Sequence, residues 1–137
     1  MNRIDFQQVS ELRLRESNAL LKVGMTEGAY YLAGYAIECA LKACIAKRTQ
    51  EHDFPEKESK GYYSHDLEDL LGFARLRIEL DQEMRLNTAM RANWIIVKNW
   101  SEESRHEKTK TTADATQLLN AIEDAKGGLL PWLRQRW

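Results

Sequence analysis

Apolar residues recur at three- and four-residue spacing along almost the whole chain, and no stretch alternates polar and apolar positions as a half-buried strand would. The pattern predicts an all-α fold. A first helix is expected over residues 5–23, burying Val9, Leu12, Ala19, Leu20 and Val23 and stopping at Gly24, a residue suited to the left-handed turn that ends helices. Thr26 is placed as the cap of a second helix that fades near Arg48. Its wide apolar stripe of Ala29, Leu32, Ala33, Ala36, Ile37, Ala40, Leu41 and Cys44 leaves Tyr31, Tyr35, Glu38 and Lys42 together on the other side.

Residues 49–63 are polar, contain Pro and Gly and show no period, so they are read as a long loop. Ser64 is the expected cap of a short third helix, with Asp66 and Glu68 in its first turn and Leu67, Leu70, Leu71 and Ala74 buried. A fourth helix over 81–104 would turn Leu86, Met90, Trp94, Val97 and Trp100 toward the second. After a polar joint at 107–111, a helix from near Thr112 buries Ala115, Leu118, Leu119, Ile122 and Ala125 until Gly127 and Gly128 interrupt it. Residues 129–133 form a short terminal helix that tolerates Pro131 in its first turn. The expected architecture is an up-and-down helical bundle of four main helices plus a short one. It forms a single domain over 1–137, small enough that a homodimer would bury residual apolar surface.

Composition narrows the class of partner. With 43% hydrophobic and 30% charged residues the 137-residue chain is ordinary for a soluble domain, and a net charge of −1 gives no global attraction for phosphate backbones. Nucleic-acid contact would have to come from a local patch. Cys39 and Cys44 lie on different faces of one expected helix, which disfavours a disulfide and suits a reducing, cytoplasmic setting. No apolar run approaches the ~18 residues that span a bilayer, and the N-terminus lacks an apolar signal core, so no membrane association is expected.

The best local candidate for a phosphate site is the stretch 98–110, where Lys98, Arg105, His106, Lys108 and Lys110 lie beside the stacking-capable Trp100. Glu102, Glu103 and Glu107 dilute it, and the same charges also suit a solvated helix end whose cations complement the macrodipole. Neighbouring residues on a helix point ~100° apart, so Arg105 and His106 converge on one phosphate only where the helix ends or two subunits meet. Glu38 stands four residues before Lys42, the favourable order for an intrahelical ion pair, and could also accept from a nucleotide or hold Arg105. Tyr31 and Tyr35 suit stacking on a base or packing at an interface, and Gly34 suits close helix approach. His65 beside Asp66 fits either a helix start or a ligand contact. His52, in the expected loop, invites no role. The histidines are isolated and the cysteines lack companions, so neither a metal nor a cofactor is expected.

The run Tyr30-Tyr31-Leu32-Ala33-Gly34-Tyr35-Ala36-Ile37-Glu38-Cys39-Ala40-Leu41-Lys42-Ala43, followed by Ser64-His65-Asp66-Leu67, the segment 100–105 and Gly128-Leu129-Leu130-Pro131-Trp132, resembles the HEPN domain family over nearly the whole chain. The resemblance implies a helical bundle, commonly homodimeric. The family holds nucleotide-binding modules, partners of minimal nucleotidyltransferases, and metal-independent ribonucleases acting as toxins or defence effectors. In the nucleases four to six residues lie between an arginine and the histidine that follows it, and paired copies meet in a dimer cleft. Here Arg105 and His106 are adjacent and Arg48 and His52 have three residues between them, a departure from that pattern.

The function implied is a nucleotide- or RNA-binding module in a toxin–antitoxin or defence setting, with Glu38, Lys98, Trp100, Tyr31, Tyr35 and His65 near the ligand. One alternative is a metal-independent endoribonuclease in which His106 is the acid/base and Arg105 stabilises the charge that develops as the ribose 2′-hydroxyl attacks. Another is a non-catalytic interaction subunit beside a nucleotidyltransferase partner.

Overall fold

The computed structural model describes residues 1–52 and 63–137, which form a helical bundle of seven α-helices without a strand among the described residues. They are α1 (Arg3–Lys22), α2 (Thr26–His52), α3 (Leu67–Phe73), α4 (Arg77–Leu86), α5 (Thr88–Lys98), α6 (Thr112–Glu123) and α7 (Leu129–Arg134), with a 3-10 turn, Glu102–His106, between α5 and α6. Most of the stretch read as a long loop, 53–62, lies outside the described residues, and α2 continues past Arg48 to His52. No helix of the described residues is long and apolar enough to cross a membrane.

Helix α1 starts at a capping box, in which the Asn2 side chain accepts from the Asp5 N–H at 2.9 Å and Asp5 accepts from the Asn2 N–H at 2.9 Å. It stops at Gly24, whose φ of +81° lets the Met25 N–H reach back to the Leu20 carbonyl at 2.9 Å. Its inward face corrects the sequence reading: Phe6, Ser10, Leu14 and Ser17 are buried, whereas Leu12, Ala19 and Val23 are exposed and Val9 and Leu20 only half-buried.

The reason lies on the facing helix. Ala29, Ala33, Ala36, Ala40 and Ala43 of α2, spaced alternately by four and three, are fully buried and make a shallow seam that admits small partners. Ser10 and Ser17 donate across it to the Ala36 and Ala29 carbonyls at 2.7 and 2.6 Å, which fixes the antiparallel register of the two helices. A hydroxyl buried with a backbone acceptor costs little, so the polar face wins the interior position.

Helix α2 is the central element; between Ala33 and Ala46 every residue except Tyr35 is buried. Thr26 is its first residue rather than an accepting cap, and its hydroxyl donates to the Lys110 carbonyl at 2.9 Å. Asp66, not Ser64, caps α3 by accepting from the Asp69 N–H at 2.9 Å, while Ser64 receives the Asp66 N–H. Leu67, Leu70, Leu71 and Ala74 are buried on it, as expected.

The expected fourth helix is two. Asn87 is extended (φ −133°), ends α4, and caps α5 by accepting from the Met90 N–H at 3.1 Å, while its amide donates to the Lys126 carbonyl at 2.8 Å. Met90, Trp94 and Val97 point into the core, but Leu86, beside the break, is 88% exposed. Trp100 lies beyond the end of α5 and is still buried. Thr111 and Asp114 form a second capping box at the start of α6, which buries Ala115, Leu118, Leu119, Ala121 and Ile122; Ala125 lies past its end, exposed.

Candidate functional site

The site assembles on the polar side of α2, and glycine makes room for it. A Cβ on Gly34 would lie 2.2 Å from ring atoms of Trp100, so the indole occupies the place of a missing side chain. Trp100 continues a column with Tyr31 and Tyr35, adjacent ring centroids lying 6.0 Å apart at small interplanar angles. At 3% exposure Trp100 is packing rather than an open platform for a base; the two tyrosines are half-buried. The column anchors the chain just before the 3-10 turn, whose Ser104 is also buried. The Trp100 Nε1 and Ser104 Oγ have no hydrogen-bond partner among the described residues.

One turn along α2, Glu38 is 1% exposed. A buried carboxylate is costly unless paired, and it has two partners. The Lys42 ammonium donates to Oε2 at 2.9 Å, and His65 Nδ1 lies 3.2 Å from both carboxylate oxygens. The other ring nitrogen of His65 is 3.3 Å from Glu102 Oε2 on the 3-10 turn. His65, placed by the Ser64–Asp66 start of α3, therefore bridges a buried carboxylate on α2 and a partly exposed one on the turn. Its own side chain remains 46% exposed. Glu38 is held by Lys42 and His65, not by Arg105.

Arg105 and His106 are exposed, and the end of the turn brings them together: Arg105 Nε donates to His106 Nε2 at 3.2 Å. Lys98 is exposed at the last turn of α5. Lys110 is committed elsewhere, 4.4 Å over the Tyr30 ring and 3.1 Å from Glu107. Burial, followed by the neighbouring Cys39 and Glu38, pushes the Tyr35 phenol up to about 12. Burial and then Glu38 push the Cys39 thiol up to about 11. Both cysteines are free and buried. Among the described residues no three His, Cys, Asp or Glu side chains are grouped so as to hold a metal ion.

Sequence reasoning paired Glu38 with Lys42, as the structure bears out, but named His65 apart from them, and it took Glu102 for a diluting charge. No local pattern signals a contact between residues 38, 65 and 102. The chain matches no family model, and no curated protein or solved structure is similar to it.

Proposed function

We propose that the chain is a HEPN-like module that binds nucleotide or RNA, as a homodimer in a toxin–antitoxin or defence setting, with Arg105 and His106 contacting phosphate. The supporting observation is the exposed Arg105–His106 pair on a turn braced from beneath, by Trp100 seated against Gly34 and by Glu102 on His65, which rests in turn on Glu38. A guanidinium whose Nε is engaged still offers its terminal nitrogens as a fork for phosphate oxygens. Lys98 adds a donor, while His65, with both ring nitrogens engaged, and the buried Glu38 and Trp100 position the turn. Titration with mononucleotides and short RNA at several salt concentrations should show binding that weakens as salt rises and is reduced in Arg105→Ala and His106→Ala. Binding unchanged in both variants would refute this reading, and no binding at all would favour an interaction subunit beside a nucleotidyltransferase. Sedimentation that finds only a monomer would remove the homodimer.

The same contact favours a second reading, a metal-independent endoribonuclease. As an acceptor from Arg105, His106 Nε2 carries a lone pair. When Arg105 turns to the phosphate, that nitrogen is free to take the proton of the ribose 2′-hydroxyl as its oxygen bonds to phosphorus. The guanidinium stabilises the charge that develops on the phosphorus oxygens, the P–O5′ bond breaks to leave a 2′,3′-cyclic phosphate, and the leaving 5′-oxygen takes a proton from water. RNA cleavage in the presence of a chelator should be abolished by either alanine substitution. Cleavage that survives both would assign the activity elsewhere.

A further inference from the structure

Helices α1 and α3 end in the same backbone motif with different residues at its critical position. After α1 the left-handed residue is Gly24; after α3 it is Arg75, with φ +56°, whose N–H reaches the Gly72 carbonyl at 3.0 Å while the Leu76 N–H reaches that of Leu71 at 3.1 Å. Glycine is favoured at such a position because a Cβ crowds the following carbonyl there. The arginine is retained where its side chain lines a cleft of about 300 Å³, together with Lys47 and Arg48 of α2 and Arg136 beyond α7. Among the described residues, Lys47, Arg75 and Arg136 thus line the cleft with one carboxylate, Glu79, in a protein whose net charge is −1.

The side chain of Arg136 is held in place. Arg136 lies 3.9 Å over the Trp132 ring, donates to the Trp132 carbonyl at 3.0 Å and binds Glu79 at 2.9 Å. The two backbone bonds of its motif fix the Cα of Arg75, and its exposed side chain extends from that fixed point. Ala74, Leu76 and Cys44 supply an apolar wall. Lys47 follows Glu38 by nine residues, which places it half a turn around α2 and roughly 13 Å along the axis. The cleft is therefore separate from the Glu38 and Arg105 site.

We infer that this cleft binds the phosphoryl group of a small phosphorylated ligand. Converging guanidinium and ammonium donors match the several acceptor oxygens of a phosphate dianion better than the two of a carboxylate. The volume suits a phosphate or diphosphate group rather than a stretch of polymer. Free phosphate and the terminal phosphate of a nucleotide present the same chemistry.

The test is a titration of the full chain, followed through its backbone amide resonances, with inorganic phosphate, pyrophosphate, adenosine monophosphate and adenosine. The three phosphorylated probes should move the resonances of Lys47, Arg75 and Arg136, and adenosine should not. Arg75→Gly relieves the left-handed strain and so folds at least as stably, yet it should weaken binding about tenfold, as loss of a charge-assisted hydrogen bond does. Lys47→Gln should act in the same direction, and Arg105→Ala should leave these shifts intact. The assignment is overturned if millimolar phosphate and pyrophosphate move nothing at the cleft, or if affinity is undiminished in both Arg75→Gly and Lys47→Gln. It is also overturned if Arg105→Ala abolishes the shifts, which would assign them to the other site.

Discussion

Replacing Gly34 by alanine sets two effects of opposite sign against each other. In the middle of a helix, alanine is better than glycine by about 1 kcal/mol, so propensity alone predicts a more stable protein. The added Cβ, however, would lie 2.2–2.3 Å from three ring atoms of a buried tryptophan, more than an ångström inside ordinary contact distance. The indole must shift, and it is boxed in by Tyr31 on the same helix. Overpacking of a rigid site costs about 1–3 kcal/mol, and complete ejection of the ring would approach the roughly 3–5 kcal/mol lost when a buried aromatic is removed. The net expectation is a destabilisation of about 2–3 kcal/mol, with a changed near-ultraviolet signal from Trp100 and weaker ligand binding because the turn bearing Arg105 loses its anchor. Urea unfolding of Gly34→Ala, Trp100→Ala and the double variant closes the cycle. With Trp100 absent, Gly34→Ala should become stabilising by about 1 kcal/mol. A neutral or stabilising Gly34→Ala in the native background would refute the packing described for this pair.

Lys42→Met leaves the buried Glu38 carboxylate without its ammonium partner and should cost about 3–5 kcal/mol in chemical unfolding, most of it recovered when Glu38→Leu is added. A cost below about 1 kcal/mol would mean that water reaches the pair. Cys44, like Cys39, is pushed up by burial, to about 12, so neither thiol should react with an aromatic disulfide reagent at mildly alkaline pH until the protein unfolds; rapid reaction of native protein would contradict the burial. The Tyr35 phenol is raised in the folded protein, so its contribution to stability is full below pH 10 and is lost as pH rises from 10 toward about 12. Tyr35→Phe should flatten that alkaline decline, and an unchanged pH profile would remove Tyr35 as its cause.

The helical class, the second helix, the buried side of α3 and the glycine stop after α1 were legible because each rests on neighbours in sequence: a 3.6-residue period, or a residue able to take positive φ. The inward face of α1 was not. Leu12 and Val23 look like core residues and Ser10 and Ser17 do not, until the alanine seam of α2 shows that small side chains fit at positions 10 and 17 and that backbone carbonyls wait there to receive hydroxyls. The break at Asn87 was hidden because asparagine inside an apolar period reads as a tolerated exception, whereas here it serves as an end and a beginning at once. The charged site was legible as residues and not as a site. Glu38, His65 and Glu102 meet only when α3 and the 3-10 turn fold onto α2, and that geometry has no local signature.

The alanine and serine seam between α1 and α2 also sets how the molecule opens. Only four of the twenty residues of α1, Phe6, Ser10, Leu14 and Ser17, are buried, so the join rests on two large apolar side chains, on close fit and on two hydroxyl-to-carbonyl bonds. Detachment of α1 would consequently expose less surface than its length suggests, and denaturant acts in proportion to surface exposed. Amide protons of α1 should exchange through an opening that urea hardly accelerates, whereas those of the α2 core await global unfolding. The first helix is thus the part of the bundle expected to lift away while the central helix, and the Glu102–His106 turn resting on it, stays folded.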